Sequence, residues 1–83
     1  MPVGFINERD VLTVTISGEI DHHSAAEIRI QTDSELERVT PRTLVFDMSG
    51  VTFMDSSGIG LILGRARTVK AWGGKVKITR PSE

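Results

Sequence analysis

The run at residues 53–64, Phe-Met-Asp-Ser-Ser-Gly-Ile-Gly-Leu-Ile-Leu-Gly, constrains this chain more than any other. Asp55, Ser56 and Ser57 stand directly before an apolar helical stretch and follow a strand-like run at 43–47 and a short loop. The serines therefore fall at a helix start, where backbone N–H groups lack intrahelical acceptors and an anion is attracted. Gly58, Gly60 and Gly64 lie in the same helix, where a glycine costs about 1 kcal/mol relative to alanine. Glycines in such number imply close approach by another backbone or by a partner.

The remainder of the chain reads as a scaffold for that run. Residues 3–7 are short and apolar, Glu8, Arg9 and Asp10 form a polar turn, and residues 11–17 alternate Leu12, Val14 and Ile16 with Thr13, Thr15 and Ser17. This is the pattern of a hairpin whose second strand ends at Gly18. Ser24 and Glu27 have the spacing of a capping box, so the first helix is expected from Ser24. Ile28, Leu36 and Val39 form its apolar stripe, Thr32 weakens that stripe, Ile30 lies off it, and Pro41 closes the segment. Leu44, Val45 and Phe46 run without alternation, as in a central strand covered on both faces. The second helix is expected from about Ser57 until Gly73 and Gly74, which suit a left-handed cap. Val76 and Ile78 then alternate with Lys75, Lys77 and Thr79 in a last strand. The order β-β-α-β-α-β gives an α/β fold with a mixed, mostly parallel sheet, and residues 1–83 make one domain.

Composition narrows the function classes. At 83 residues the chain buries only about 60% of the surface its unfolded form exposes. Ten Lys and Arg against eleven Asp and Glu leave no basic footprint for nucleic acid. The absence of cysteine excludes a disulfide framework, a thiolate metal site and a cysteine nucleophile, and the reducing cytoplasm is the compartment that fits. No segment approaches the roughly 20 apolar residues of a membrane span, and the N-terminus has no basic and apolar signal regions.

Asp55, Ser56, Ser57 and Gly58 can be helix capping and nothing more, since Asp and Ser are favoured caps. A serine hydrolase would need a general base, for which only His22 and His23 are available. The Gly-x-Ser-x-Gly elbow is also absent, because Asp55 and Ile59 flank Ser57 where its glycines would stand, and Met54 takes the first such place around Ser56. No enzymatic activity is therefore expected. Asp21, His22 and His23 invite a metal reading, but consecutive side chains diverge and no further ligand cluster follows. A polar loop before a helix is the simpler reading, with neither metal nor cofactor. The Gly60 and Gly64 spacing fits close helix-to-sheet packing, and Lys70 and Trp72 an amphipathic helix end.

The residues in order, Gly18 to Ala25 with Asp21-His22-His23 at its centre, Leu44 to Asp47, the run from Phe53 to Arg65, and Gly73-Gly74, resemble the STAS domain of bacterial anti-sigma factor antagonists. Within that family the likeness is greatest to the sporulation anti-sigma F antagonists. The resemblance implies a partner switch: the unmodified antagonist binds an anti-sigma factor serine kinase and frees the sigma factor. Phosphorylation of the second serine of Asp-Ser-Ser-Gly, here Ser57, then dissolves the complex, and a serine phosphatase reverses it. The family's kinase-binding surface carries over to Asp21, His22, Asp55, Ser56, Ser57, Gly58, Ile59 and Gly60. A STAS regulatory module of an anion transporter or stress-sensing assembly is the alternative within the same fold. Family members also continue into elements beyond Ser82, so the resemblance implies a domain that lacks its C-terminal helices. Two helices would then leave part of an apolar sheet uncovered, and self-association through the open face or the edge strand with Val76 and Ile78 is expected.

Overall fold

The computed structural model describes residues 3–80. Expectations about the two chain termini rest partly on residues 1–2 and 81–83, which lie outside the described residues. The elements run β1 (Val3–Glu8), β2 (Val11–Ile20), α1 (His22–Val39), β3 (Thr43–Met54), α2 (Ser56–Ala71) and β4 (Lys75–Thr79). One four-stranded sheet has the order β1-β2-β3-β4, with β1 antiparallel to β2 and the other pairs parallel. The expected order and mixed sheet are both present.

The hairpin turns on Arg9 and Asp10, which have φ of 52° and 65°. Two positive φ values give the left-handed turn whose twist suits a two-residue connection. β2 does not stop at Gly18, as expected from the sequence, but continues to Ile20. Gly18 has a φ of 81° and sits at a register shift, so the strand bends and its last residues pair with the far end of β3. For the same reason β3 extends to Met54 instead of giving way to a loop after Asp47.

The sheet is covered on one face, not two. Leu12, Val14, Ile16, Leu44, Phe46 and Met48 are buried on that face, while Thr13, Val45 and Lys77 stand beside Ile6 on the other. Val45, expected to be covered like its neighbours, is only half-buried. Both helices pack on the buried face through Ala25, Ile28 and Leu36 of α1 and Leu61, Ile62 and Val69 of α2. Thr32 lies in the middle of the α1 stripe, fully buried, and its hydroxyl has no partner among the described residues. Ile30 is exposed, as its position off the stripe predicts.

The helix ends explain the loop geometry. α1 closes at Thr40, left-handed at φ 37° with its N–H donating to the Leu36 carbonyl, and Pro41 follows. α2 ends in a Schellman motif: the Gly74 and Gly73 amides donate to the Val69 and Lys70 carbonyls at 2.9 and 3.0 Å. Gly73 takes the left-handed conformation at φ 86°, as expected for the cap. Trp72 is not a free helix end, since its indole Nε1 donates to the Pro41 carbonyl at 2.9 Å and ties the two helix ends together.

Candidate functional site

Two helix starts stand side by side because α1 and α2 each leave the end of a neighbouring parallel strand. The Asp55 amide donates to the Ile20 carbonyl at 3.2 Å, which fixes one start against the other. α1 begins at His22 rather than Ser24, and its N-cap is Asp21. The capping box is formed by Asp21 and Ser24: the Ser24 amide donates to Asp21 Oδ1 at 3.0 Å and the Asp21 amide donates to Ser24 Oγ at 2.9 Å. The expected Ser24–Glu27 box is thus displaced by three residues, because a carboxylate in extended conformation at Asp21 reaches the free amide first. Those bonds from Ser24, helped by the nearby His23, hold the Asp21 carboxyl below its ordinary 3.8.

Asp21 is therefore a cap rather than part of a loop, and His22 and His23 are helical. The imidazole rings of the pair lie 5.9 Å apart at 63°. Asp21, His22 and His23 are all exposed.

At the second start Asp55 is the N-cap, and its Oδ1 accepts from the Ser57 amide at 2.8 Å. The Ser56 and Ser57 hydroxyls make no hydrogen bond among the described residues, although the Ser57 amide is occupied. Ser56 is exposed and Ser57 half-buried. Ile59 and Gly60, on the first turn, are exposed. Gly58 is buried: a Cβ there would collide with the Met54 side chain and lie 3.2 Å from Ile20 Cγ2. Its role in the geometry is to let the helix start sit on the sheet end.

The other two glycines differ from expectation. A Cβ at Gly60 or Gly64 would meet nothing within 4 Å, so neither marks close helix-to-sheet packing. The tight backbone approach is at Gly74, where a Cβ would lie 2.8 Å from the Arg42 carbonyl oxygen.

Between the helices runs an open cleft of about 320 Å³. Ser57, Gly60 and Arg65 of α2 line it opposite His22, Ala26 and Arg29 of α1. Ser57 and His22 thus share one cleft, with no hydrogen bond between them among the described residues. Arg29 and Arg65 were missed from the sequence, although Arg65 stands eight residues after Ser57 and so on the same helical face. Arg65 Nε lies 2.8 Å from Asp33 Oδ1, off the line of its N–H bond, so the contact is an ion pair rather than a hydrogen bond. A second surface feature, an apolar groove of about 260 Å³ between α2 and β4, is lined by Met48, Met54, Ile59, Ile62, Leu63 and Ile78 among others.

Known proteins resemble this chain in sequence and in fold. An anti-sigma F factor antagonist of Lysinibacillus sphaericus is 36% identical over 74 residues, which are 89% of this chain and 63% of that protein. The anti-sigma factor antagonist SpoIIAA in its unphosphorylated form aligns with a TM-score of 0.81 at 30% identity, over 98% of this chain and 74% of that one. The phosphorylated form of the Bacillus cell fate determinant SpoIIAA aligns at 0.80 and 31%, over 96% and 73%. The chain spans under two thirds of the length of the Lysinibacillus relative. A family model described as the STAS domain matches residues 6–83. With that match running through the hairpin, both helix starts and the last strand, the chain belongs to the STAS domain family.

Proposed function

We propose that this chain is the core of an anti-sigma factor antagonist that binds an anti-sigma factor serine kinase when Ser57 is unmodified and releases it when Ser57 is phosphorylated. The observation that carries the reading is the state of Ser57: its amide is held by Asp55, while its hydroxyl is unengaged at the mouth of a cleft beside His22 and Gly60. Names of the relatives support it, since they include an anti-sigma F factor antagonist and a structure of SpoIIAA in a phosphorylated form.

In the unmodified state the kinase docks on Asp21, His22, Asp55, Ser56, Ser57, Ile59 and Gly60. The exposed Ile59 supplies apolar area, and Gly60 lets a partner backbone approach without a side chain between. The kinase transfers the γ-phosphoryl group of ATP to Ser57 Oγ; the P–O bond to ADP breaks, the Oγ–P bond forms, and the hydroxyl proton leaves to base or solvent. No cofactor or metal of this chain takes part, and the chain itself catalyses nothing. The phosphate brings about −1.5 to −2 charges to a helix N-terminus, which the helix dipole and its free N–H groups tolerate. The fold survives while docking fails, because the new charge stands beside Asp55 and must be desolvated under the partner. A difference of about 3 kcal/mol suffices to weaken binding more than a hundredfold. A serine phosphatase restores the first state by hydrolysing the phosphoester. Such partners set the site of action in the cytoplasm. Among the described residues no helix is long and apolar enough to cross a membrane.

Incubation with a cognate anti-sigma kinase and ATP, followed by mass analysis, should place one phosphate on Ser57 and none on Ser56. Ser57→Ala should stay bound to the kinase in the presence of ATP, and Ser57→Asp should bind weakly with an unchanged circular dichroism spectrum. An Asp variant that bound as tightly as the wild type would remove the charge-based switch.

A further inference from the structure

The cleft between α1 and α2 contains a cation that kinase docking leaves unused. Arg65 is engaged, with Nε beside Asp33 and Nη1 donating to the Leu61 carbonyl at 3.1 Å. Arg29, exposed on the opposite wall, forms no ion pair among the described residues. It lines the same cleft as Ser57. Ala26 and Gly60, the small residues of the two walls, help to keep that cleft open.

We propose that Arg29 is the counter-charge for a phosphate on Ser57, an inference that rests on the phosphoacceptor reading above. The phosphate on Oγ turns away from Asp55, whose carboxylate already holds the Ser57 amide, and into the cleft. There the Arg29 guanidinium, a planar donor matched to phosphate oxygens, pairs it across the helix boundary. The ionisable groups that line, pair or cap at the cleft are Arg65 of α2 and its N-cap Asp55, and His22, Arg29 and Asp33 of α1 and its N-cap Asp21. Arg65 and Asp33 offset one another, and Asp21 is committed to Ser24, which leaves Arg29 as the uncompensated cation. The modified chain then carries its phosphate folded against α1.

The test uses the 83-residue chain with phosphoserine inserted at position 57 during translation, so that no kinase is needed. Titration of the phosphate by phosphorus NMR should give a second ionisation below the ordinary value of about 6. Arg29→Gln should raise that ionisation by about half a unit, roughly a threefold change in the ionisation constant, and Arg29→Lys should restore most of the shift. Coincident curves for wild type and Arg29→Gln would overturn the assignment, as would a shift that Arg29→Lys fails to reverse. Because the phosphate is built in, a chain that no kinase modifies defeats the phosphoacceptor reading and leaves this measurement standing. Coincident curves defeat Arg29 alone.

Discussion

At Asp21 one carboxylate serves both a fold and a surface. It caps an 18-residue helix through two bonds with Ser24, and it stands exposed where the kinase is proposed to dock. Replacement by alanine therefore has two effects, where its reading as loop polarity allowed only weaker binding. Asp21→Ala should weaken kinase binding and should also lower the melting temperature, through the lost cap. The second effect has a pH signature. The folded carboxyl ionises below 3.8, so its contribution is fully present above that value and is lost as pH falls through the lower, folded one. Asp47, lowered likewise by bonds from Ser49, is present in both proteins and cancels. The gap in melting temperature between wild type and Asp21→Ala should be constant above about pH 5 and close as the pH falls below 4. A gap that stayed constant into acid would show that the cap acts without its charge.

Element by element, the sequence yields most where periodicity and end signals agree. β4, the α2 start and its Gly73 cap lie where pattern and capping chemistry placed them. The ends of β2 and β3 were hidden because Gly18 reads as a terminator, although here it makes a bend inside a continuing ladder. α1 began early because Asp21 and Ser24 both have capping chemistry, and only the backbone at Asp21 decides between them. Glycine is the least legible residue: Gly58, Gly64 and Gly74 look alike in sequence, yet only the first and last are crowded. This yields a prediction for α2. Gly64→Ala should stabilise the chain by about 0.5–1 kcal/mol, since helix propensity and unfolded-chain entropy both favour alanine and nothing opposes its methyl group. Gly74→Ala should destabilise it, because the carbonyl of Arg42 stands too close to move cheaply. Paired thermal melts check both, and a neutral Gly74→Ala would mean that the β4 entrance relaxes.

For the whole molecule, the decisive fact is that most of the apolar residues of β2, β3 and β4 share one face, with Val45 on the other. Leu12, Val14, Ile16, Leu44, Phe46, Val76 and Ile78 were expected to need cover on two sides, but alternation puts them on one face, where α1 and α2 bury the first five, Val76 is partly covered and Ile78 stays exposed at the edge. The opposite face is threonine- and lysine-rich and can stand in water. Besides the separate exposed side chains Ile6, Ile30 and Phe53, an apolar groove stays open between α2 and β4, where Ile59, Leu63 and Ile78 are each just over half exposed, at 52%, 53% and 57%. A patch of that kind falls within the few hundred Å² that ordinary monomers expose, well short of the roughly 800 Å² per partner of a stable dimer. β4 is also an edge strand with free backbone groups along one side. Self-association, if driven by this edge and groove, should be weak and concentration-dependent, not a condition of folding. Sedimentation of this chain should therefore give a cooperatively melting monomer at about 10 µM, with a larger species only at concentrations on the order of 100-fold higher. Ile78→Lys should abolish that species without destabilising the monomer by more than about 1 kcal/mol, since the side chain is already more than half in water. A tight dimer at the lower concentration that survives Ile78→Lys would mean that the threonine-rich face, not the groove, holds the copies together.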